Sequence, residues 1–250
     1  MGPDASQERF SSWIAALDER HLADLTPSEV ARALRALSTC YVERREKLPT
    51  GVALGTAGKR AAFALFYGPL HFLVAREVVT ALEMRAVREI VDLGCGSGAA
   101  GAAWALEAGG ASISGFDRNP WAVAEAQWTY RSLGLRGRAR QADITRFDLR
   151  PRRGLGIIAA YTLNELPASG RHTLLPRLID AAGHGARVLV LEPIARRSAP
   201  WWGDWKSAFV SAGGAANEWR FPAALPARTA GLARAAGLDP RELTARSLSL

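Results

Sequence analysis

Cysteine is scarce in this chain: its 250 residues include two, Cys40 and Cys95. Two thiols build neither a disulfide framework nor a four-cysteine zinc or iron–sulfur site, so no metal is expected and a reducing compartment, the cytoplasm, fits best. No window reaches the roughly 18 consecutive apolar residues of a membrane span, so no membrane partner is expected. Met1 to Phe10 carry acids and no apolar stretch of a secretory signal. Internal repeats and low-complexity linkers are lacking as well, which disfavours solenoids and disordered tails. What remains is an ordinary globular composition, 48% apolar and 22% charged. At this length it implies one or two domains with a sizeable core.

The net charge is +8, and its location matters more than its sum. Residues 131–153 hold eight arginines (131, 136, 138, 140, 146, 150, 152 and 153) against two acids. Guanidinium groups pair with phosphate in bidentate geometry, so Arg131–Arg153 is a candidate phosphate-binding face; the plainer reading is a solvated arginine-rich surface.

The first 85 or so residues read as helical. Thr26-Pro27-Ser28-Glu29 is a capping box with proline at the first helical position, followed by Val30, Leu34, Leu37 and Tyr41 at helical spacing. Gly58 to Leu82 is a second apolar helical stretch, and Gly68-Pro69 is expected to kink or end it because proline lacks the amide donor. From Arg88 short apolar runs alternate with helical segments, the signature of a parallel sheet with crossover helices. Strands are predicted at 89–93, 112–116, 138–142, 156–161, 186–191 and 242–250, with a short one at 218–221. Helices are predicted at 98–108, 120–133, 170–182, 204–210 and 226–236. The expected fold is α/β, a Rossmann-like sheet with helices on both faces. Residues 1–86 would form an N-terminal helical cap on the substrate side and residues 87–250 the cofactor-binding domain.

The strongest motif is Val91-Asp92-Leu93-Gly94-Cys95-Gly96-Ser97-Gly98 at a predicted strand-to-helix turn. Glycines there let the backbone approach a ligand, and the following helix points free amides at it. Gly94, Gly96 and Ala99 also fill the small-residue positions of the dinucleotide fingerprint, so the glycines alone do not choose the cofactor. Asp92 does: a carboxylate at the strand tip repels a pyrophosphate and suits the ammonium and sulfonium of S-adenosylmethionine. Cys95 contributes its backbone to this turn and is not read as a nucleophile.

Twenty-five residues on, Phe116-Asp117-Arg118-Asn119-Pro120 places an acid at the end of the second strand, where Asp117 can accept both ribose hydroxyls, with Arg118 beside it. The alternative for Asp117 is the cap of the next helix, a role Asn119 can fill. Asp143 and the Ile144 amide, at the end of the third strand, are placed for an adenine, with Phe147 as an apolar wall; alternatively Asp143 is a plain turn acid. Tyr161, Asn164 and Glu165 follow the fourth strand, where an open sheet reverses its winding and leaves a crevice for the methyl acceptor. Asn164 can orient an amino or amide group, and Glu165 can take a proton or hold a cation; both can equally cap the next helix. Tyr67 and His71 lie at the aromatic kink Phe66-Tyr67-Gly68-Pro69 and are either a lid over the cofactor or core residues. Trp201, Trp202, Trp205 and Trp219 cluster after the fifth strand and suit core packing, an acceptor pocket or stacking on RNA bases.

The spaced set VDLGCGSG, GFDRNP, QADI, IIAAYTLNELP and VLVLEP resembles the class I S-adenosylmethionine-dependent methyltransferases over residues 88 to about 195. Within them, Tyr161 to Pro167, Leu191-Glu192-Pro193 and the Gly58-Lys59-Arg60 helix are similar to the small-ribosomal-subunit, mitochondrial-type methyltransferase-like family. That resemblance implies methyl transfer to ribosomal RNA or a ribosomal component. Members carry a cysteine cluster after the fifth strand; this chain has no cysteine beyond Cys95, so no iron–sulfur cluster is expected. Two other functions stay open: a small-molecule or natural-product methyltransferase (or other alkyl chemistry) with the helical cap closing the acceptor pocket, and a non-catalytic cofactor-binding assembly factor.

Overall fold

In the computed structural model of the protein, residues 3–43, 54–194, 199–238 and 241–250 are described. Seven strands form one sheet in the order β3-β2-β1-β4-β5-β7-β6. Strands β1 (Glu89–Leu93), β2 (Ser112–Asp117), β3 (Gly137–Gln141), β4 (Leu155–Ala160) and β5 (Arg187–Glu192) are parallel. β7 (Glu242–Ser249) runs antiparallel to β5, and β6 (Ala215–Pro222) antiparallel to β7. The central strand β4 is apolar throughout because both its faces are covered, whereas β3, at the sheet edge, exposes Arg138 and Arg140.

Helices α5 (Ala99–Glu107) and α6 (Pro120–Ser132) cover one face and α7 (Ala168–Gly183) and α8 (Trp202–Ser211) the other, while α9 (Ala227–Ala235) joins the first layer. Each strand and helix predicted from residue 89 onward is present, with ends that differ by no more than three residues. The β3–β4 connection, residues 142–154, has no helix, and Phe147 packs its ring on Phe116 there at 4.0 Å.

The N-terminal helices α1 (Pro3–His21), α2 (Pro27–Glu43), α3 (Ala57–Ala62) and α4 (Gly68–Ala81) extend the first layer. The capping box at the start of α2 forms as its sequence requires: Glu29 accepts from the Thr26 amide at 2.8 Å, and Thr26 Oγ1 accepts from the Glu29 amide at 3.3 Å. Buried Val30, Leu34 and Leu37 are its inner stripe; the Tyr41 and Cys40 side chains lie outside the described residues. Phe10, Trp13 and Phe72 stack between α1 and α4. Glu125 of α6, fully buried, is held by Arg20 at 3.1 Å and His21 at 2.7 Å, which fastens the end of α1 to the sheet layer. A single hydrophobic core therefore runs from these helices to the sheet across residue 86.

The expected break at Gly68-Pro69 does not occur. Residues 63–67 widen into a π-helical turn, the Gly68 amide bonds the Phe63 carbonyl, and the helix continues through α4. The carbonyl that Pro69 leaves without a helical donor is that of Leu65, and the buried Thr229 hydroxyl of α9 donates to it at 3.1 Å. Residues 57–81 are long and apolar enough to cross a membrane by length and composition, but 72% of that window is buried inside the protein. The tryptophans divide: Trp205 is core on the α8 side, while Trp219 stacks on Phe221 and bonds Ser247 at 2.8 Å.

Candidate active site

The parallel strands β1, β2, β4 and β5 end on one side of the sheet, and the winding reverses between β1 and β4. A cavity of about 640 Å³ opens there, floored by the β1–α5 turn and walled by the π turn and α4. Gly94 (φ +69°) and Gly96 (φ +54°) carry the turn in the left-handed region. A Cβ on Gly94 would overlap the Thr162 side chain, and one on Gly96 would meet the Phe63 ring at 3.3 Å, so only glycine lets this backbone form the cavity floor. Ala99 and Ala100, in the first turn of α5, face the cavity and bring the helix amide end to it.

Asp117 ends β2 on the cavity wall. Its Oδ2 accepts from the Gly96 amide at 3.0 Å and its Oδ1 from the Asn119 amide at 2.8 Å, leaving a lone pair on each oxygen for a ligand. It does not cap α6, since Asn119 does so, accepting from Trp121 and Ala122. Arg118 lies at the exposed rim. Asp92 is buried beneath the turn against α5 beside the Gly101 backbone, and its Oδ2 has no hydrogen-bond partner of ordinary geometry among the described residues. Burial pushes its carboxyl up to about 7, opposed by the Gly101 amide and reinforced by Asp117. Cys95 is buried, and burial together with the Asp92 and Asp117 charges holds its thiol well above the ordinary range.

The other wall comes from the β4 end. Tyr161 takes a positive φ of +57°, its amide bonds the Leu191 carbonyl at 2.8 Å, and its ring stacks on His71 at 4.0 Å with 12° between planes. Burial raises the Tyr161 hydroxyl and lowers His71 to about 3, so the imidazole facing the cavity is neutral. Tyr67, one turn before His71, also lines the cavity, its hydroxyl pushed up to about 12 by burial. Neither Asn164 nor Glu165 caps α7, whose N-cap is Pro167. Asn164 is instead fixed at both ends of its amide: Nδ2 donates to Glu192 Oε2 at 2.6 Å and Oδ1 accepts from Trp201 Nε1 at 3.0 Å. Glu165 turns its carboxylate to the cavity, accepts no hydrogen bond there from any described residue, and is pushed up to about 7 by burial and by Asp117.

The structure brings Asp92, Gly94, Cys95, Gly96, Asp117, Arg118, Ile144, Tyr161, Asn164, Glu165, Tyr67 and His71 to one cavity. Three expected residues, Gly98, Asp143 and Phe147, are not in its wall. Gly98 (φ +78°) is the turn's hinge onto α5, packed against Tyr130 and Ala126. Asp143 spends Oδ1 on the Thr145 amide and hydroxyl at 2.9 and 2.7 Å, a turn acid. Phe147 packs on Phe116, away from the cavity. Sequence reasoning assigned no role to Glu192. It ends β5 fully buried, accepts from the Leu163 amide at 2.9 Å and from Asn164, and burial pushes it up to about 8. An acid closing an otherwise apolar strand just before Pro193 was its signal, the same one that marked Asp117.

Residues 90–185 match the family model described as a methyltransferase domain. The cavity fits the donor such a domain uses: a glycine floor with helix amides, a carboxylate with two free lone pairs, and a buried acid oxygen without a partner. The chain is thus an S-adenosylmethionine-dependent methyltransferase. No curated protein matches its sequence. A candidate O-methyltransferase of known structure from Nostoc punctiforme is similar to it at 14% identity and TM-score 0.55, over 87% of this chain and 71% of that one. The methyltransferase domain of the bacterial protein CtHen1-C is similar at 14% identity and TM-score 0.51, over 72% of this chain and 97% of that one. At such identities the likeness is one of fold. In this methyltransferase the β1, β2, β4 and β5 ends supply the site, while α4 and the π turn form its roof.

Proposed function

We propose that this methyltransferase acts on a small-molecule acceptor held between the β4 end and the N-terminal helices. The observation that carries the reading is the 640 Å³ cavity itself, roofed by Phe63, Tyr67, Leu70 and His71. Its size is that of a small-ligand site, and its largely apolar roof offers nothing to a phosphate backbone. Residues 1–86 are then the substrate-side cap and residues 87–250 the donor-binding domain, in a protein we place in the cytoplasm.

S-adenosylmethionine, when bound, supplies an electrophilic methyl group. Asp117 accepts the ribose hydroxyls, the turn at Gly94–Gly96 and the α5 amides receive the methionine end, and Ile144 flanks the adenine. Tyr161 and His71, stacked on each other, hold the acceptor side of the cavity and exclude water. Asn164 and Glu165 meet the acceptor, and the Glu192 and Trp201 bonds keep Asn164 in one orientation. Methyl transfer from a sulfonium depends on in-line positioning more than on acid–base chemistry, so a rigid wall of this kind is what the reaction needs.

A second reading, methyl transfer to ribosomal RNA with the small ribosomal subunit as partner, is supported by one observation: all eight arginines from Arg131 to Arg153 are exposed, two of them, Arg138 and Arg140, on the edge strand β3. Binding of a single-stranded RNA titrated against salt separates the two. An RNA-directed enzyme should show a log-log slope near −0.7 per phosphate contact, flattened by replacing Arg136, Arg138 and Arg140. Absence of RNA binding at low salt, with retained affinity for S-adenosylhomocysteine, leaves the small-molecule reading; tight, salt-dependent RNA binding lost in the triple variant overturns it.

A further inference from the structure

Among the described residues, the carboxyl groups on the cavity wall are Asp92, Asp117, Glu165 and Glu192, against Arg118 on the wall and buried Arg246 behind Glu192, with His71 neutral. Arg118 sits at the rim in solvent and favours the charged form of Glu165, but it offsets burial and the Asp117 charge only in part. The acids differ in how they are satisfied. Asp117 is bonded to two backbone amides, and Glu192 to the Leu163 amide and the Asn164 side chain. Asp92 lies under the donor turn. Asp92 Oδ2 and the Glu165 carboxylate both lack a hydrogen bond from the described residues, but only Glu165 presents its carboxylate on the acceptor side, next to Asn164. A desolvated carboxylate facing a cavity is costly until a positive partner arrives.

We propose that the acceptor is an amine that enters as its ammonium ion, with Glu165 as its counter-charge and the aromatic roof of Phe63, Tyr67 and His71 around its apolar body. This rests on the small-molecule reading above. The shift of Glu165 to about 7 agrees with it, because such a carboxylate is close to balance between holding a cation and taking its proton. The balance of the step is simple. The ammonium gives one proton to the Glu165 carboxylate, the freed nitrogen lone pair forms a bond to the donor's methyl carbon, and the carbon–sulfur pair stays on sulfur. The N-methylated product carries the positive charge until it releases its second proton to water. Asn164, with Oδ1 turned by Trp201 and Nδ2 by Glu192, presents a fixed amide to the same nitrogen. An alcohol or carboxylate acceptor leaves the half-buried Glu165 carboxylate without a counter-charge.

The test is binding rather than turnover. Calorimetry of the full chain saturated with S-adenosylhomocysteine compares a graded set of aryl- and alkylamines, from benzylamine to phenethylamine and hexylamine, with the matching alcohols and carboxylates. Amines should bind at least about tenfold more tightly than their alcohols, and Glu165→Gln should remove about ten- to a hundredfold of amine affinity while S-adenosylhomocysteine affinity stays within threefold. Glu165→Asp should keep part of the preference. Equal binding of alcohols and amines, no amine binding at all, or an equal loss of S-adenosylhomocysteine in Glu165→Gln each overturns the proposal while leaving the methyltransferase reading in place. Failure of the wild-type chain to bind S-adenosylhomocysteine overturns both.

Discussion

Replacing Asp117 by alanine removes the one carboxylate placed between the glycine turn and the start of α6. In the protein alone it loses two bonds from backbone amides, at 3.0 Å to Gly96 and 2.8 Å to Asn119. Bonds to charged groups are worth roughly 1.5–3 kcal/mol when buried, and this site is half-buried, so about 2 kcal/mol of stability should go. For a chain of this length that is a fall in melting temperature of about 4–8 °C. With the donor bound, two further bonds to the ribose hydroxyls are lost, on the order of 3–6 kcal/mol, which is a hundredfold or more in affinity. Asp117→Asn keeps one acceptor oxygen and should fall between. Titration calorimetry with S-adenosylhomocysteine, run beside thermal melts, reads both quantities on the same samples. A melting temperature lowered as stated with affinity within threefold of wild type would reduce Asp117 to a brace for the turn and refute its role as ribose clamp.

Thr229→Val keeps the shape of the side chain but strands the buried Leu65 carbonyl, and should cost about 1–3 kcal/mol in urea titrations, with Thr229→Ser nearly wild type; an unchanged midpoint in Thr229→Val would show that the helix bears the missing donor unaided. Glu192 has a folded value of about 8 against about 4.5 unfolded, so the native state holds the proton more tightly. Stability from this group is full below about pH 4.5 and lost as pH rises to about 8, and Glu192→Gln should flatten that decline in denaturation midpoints measured across the range. Asn164→Ala removes the donor to Glu192 and frees the Trp201 indole. It should lower acceptor turnover by one or two orders of magnitude, change tryptophan emission, and leave S-adenosylhomocysteine affinity within a few-fold; full activity per folded molecule would make Asn164 scaffold only.

Local rules were enough for much of the protein. The capping box before α2, the apolar run of β4, the glycine turn after β1 and the acid at the end of β2 all follow from spacing and residue chemistry within a dozen positions, and each formed where those rules place it. The reversal of winding that opens the cavity followed from strands alternating with helices, which also put Tyr161, Asn164 and Glu165 at the site. What the tertiary structure decided involves partners far apart in the chain. Pro69 reads locally as a break, and it is not one because a hydroxyl 164 residues from Leu65 satisfies the carbonyl that proline leaves bare. Asn164 reads equally as a cap or a site residue until β5 and α8 supply Glu192 and Trp201, 28 and 37 residues away. Asp143 met a nearer partner in Thr145 than any ligand, and Glu192 took on its part only because the β4 end folds back onto it. A local pattern fixes which backbone groups need partners, but the identity of a distant partner depends on how the layers pack, and packing is settled by the whole core at once.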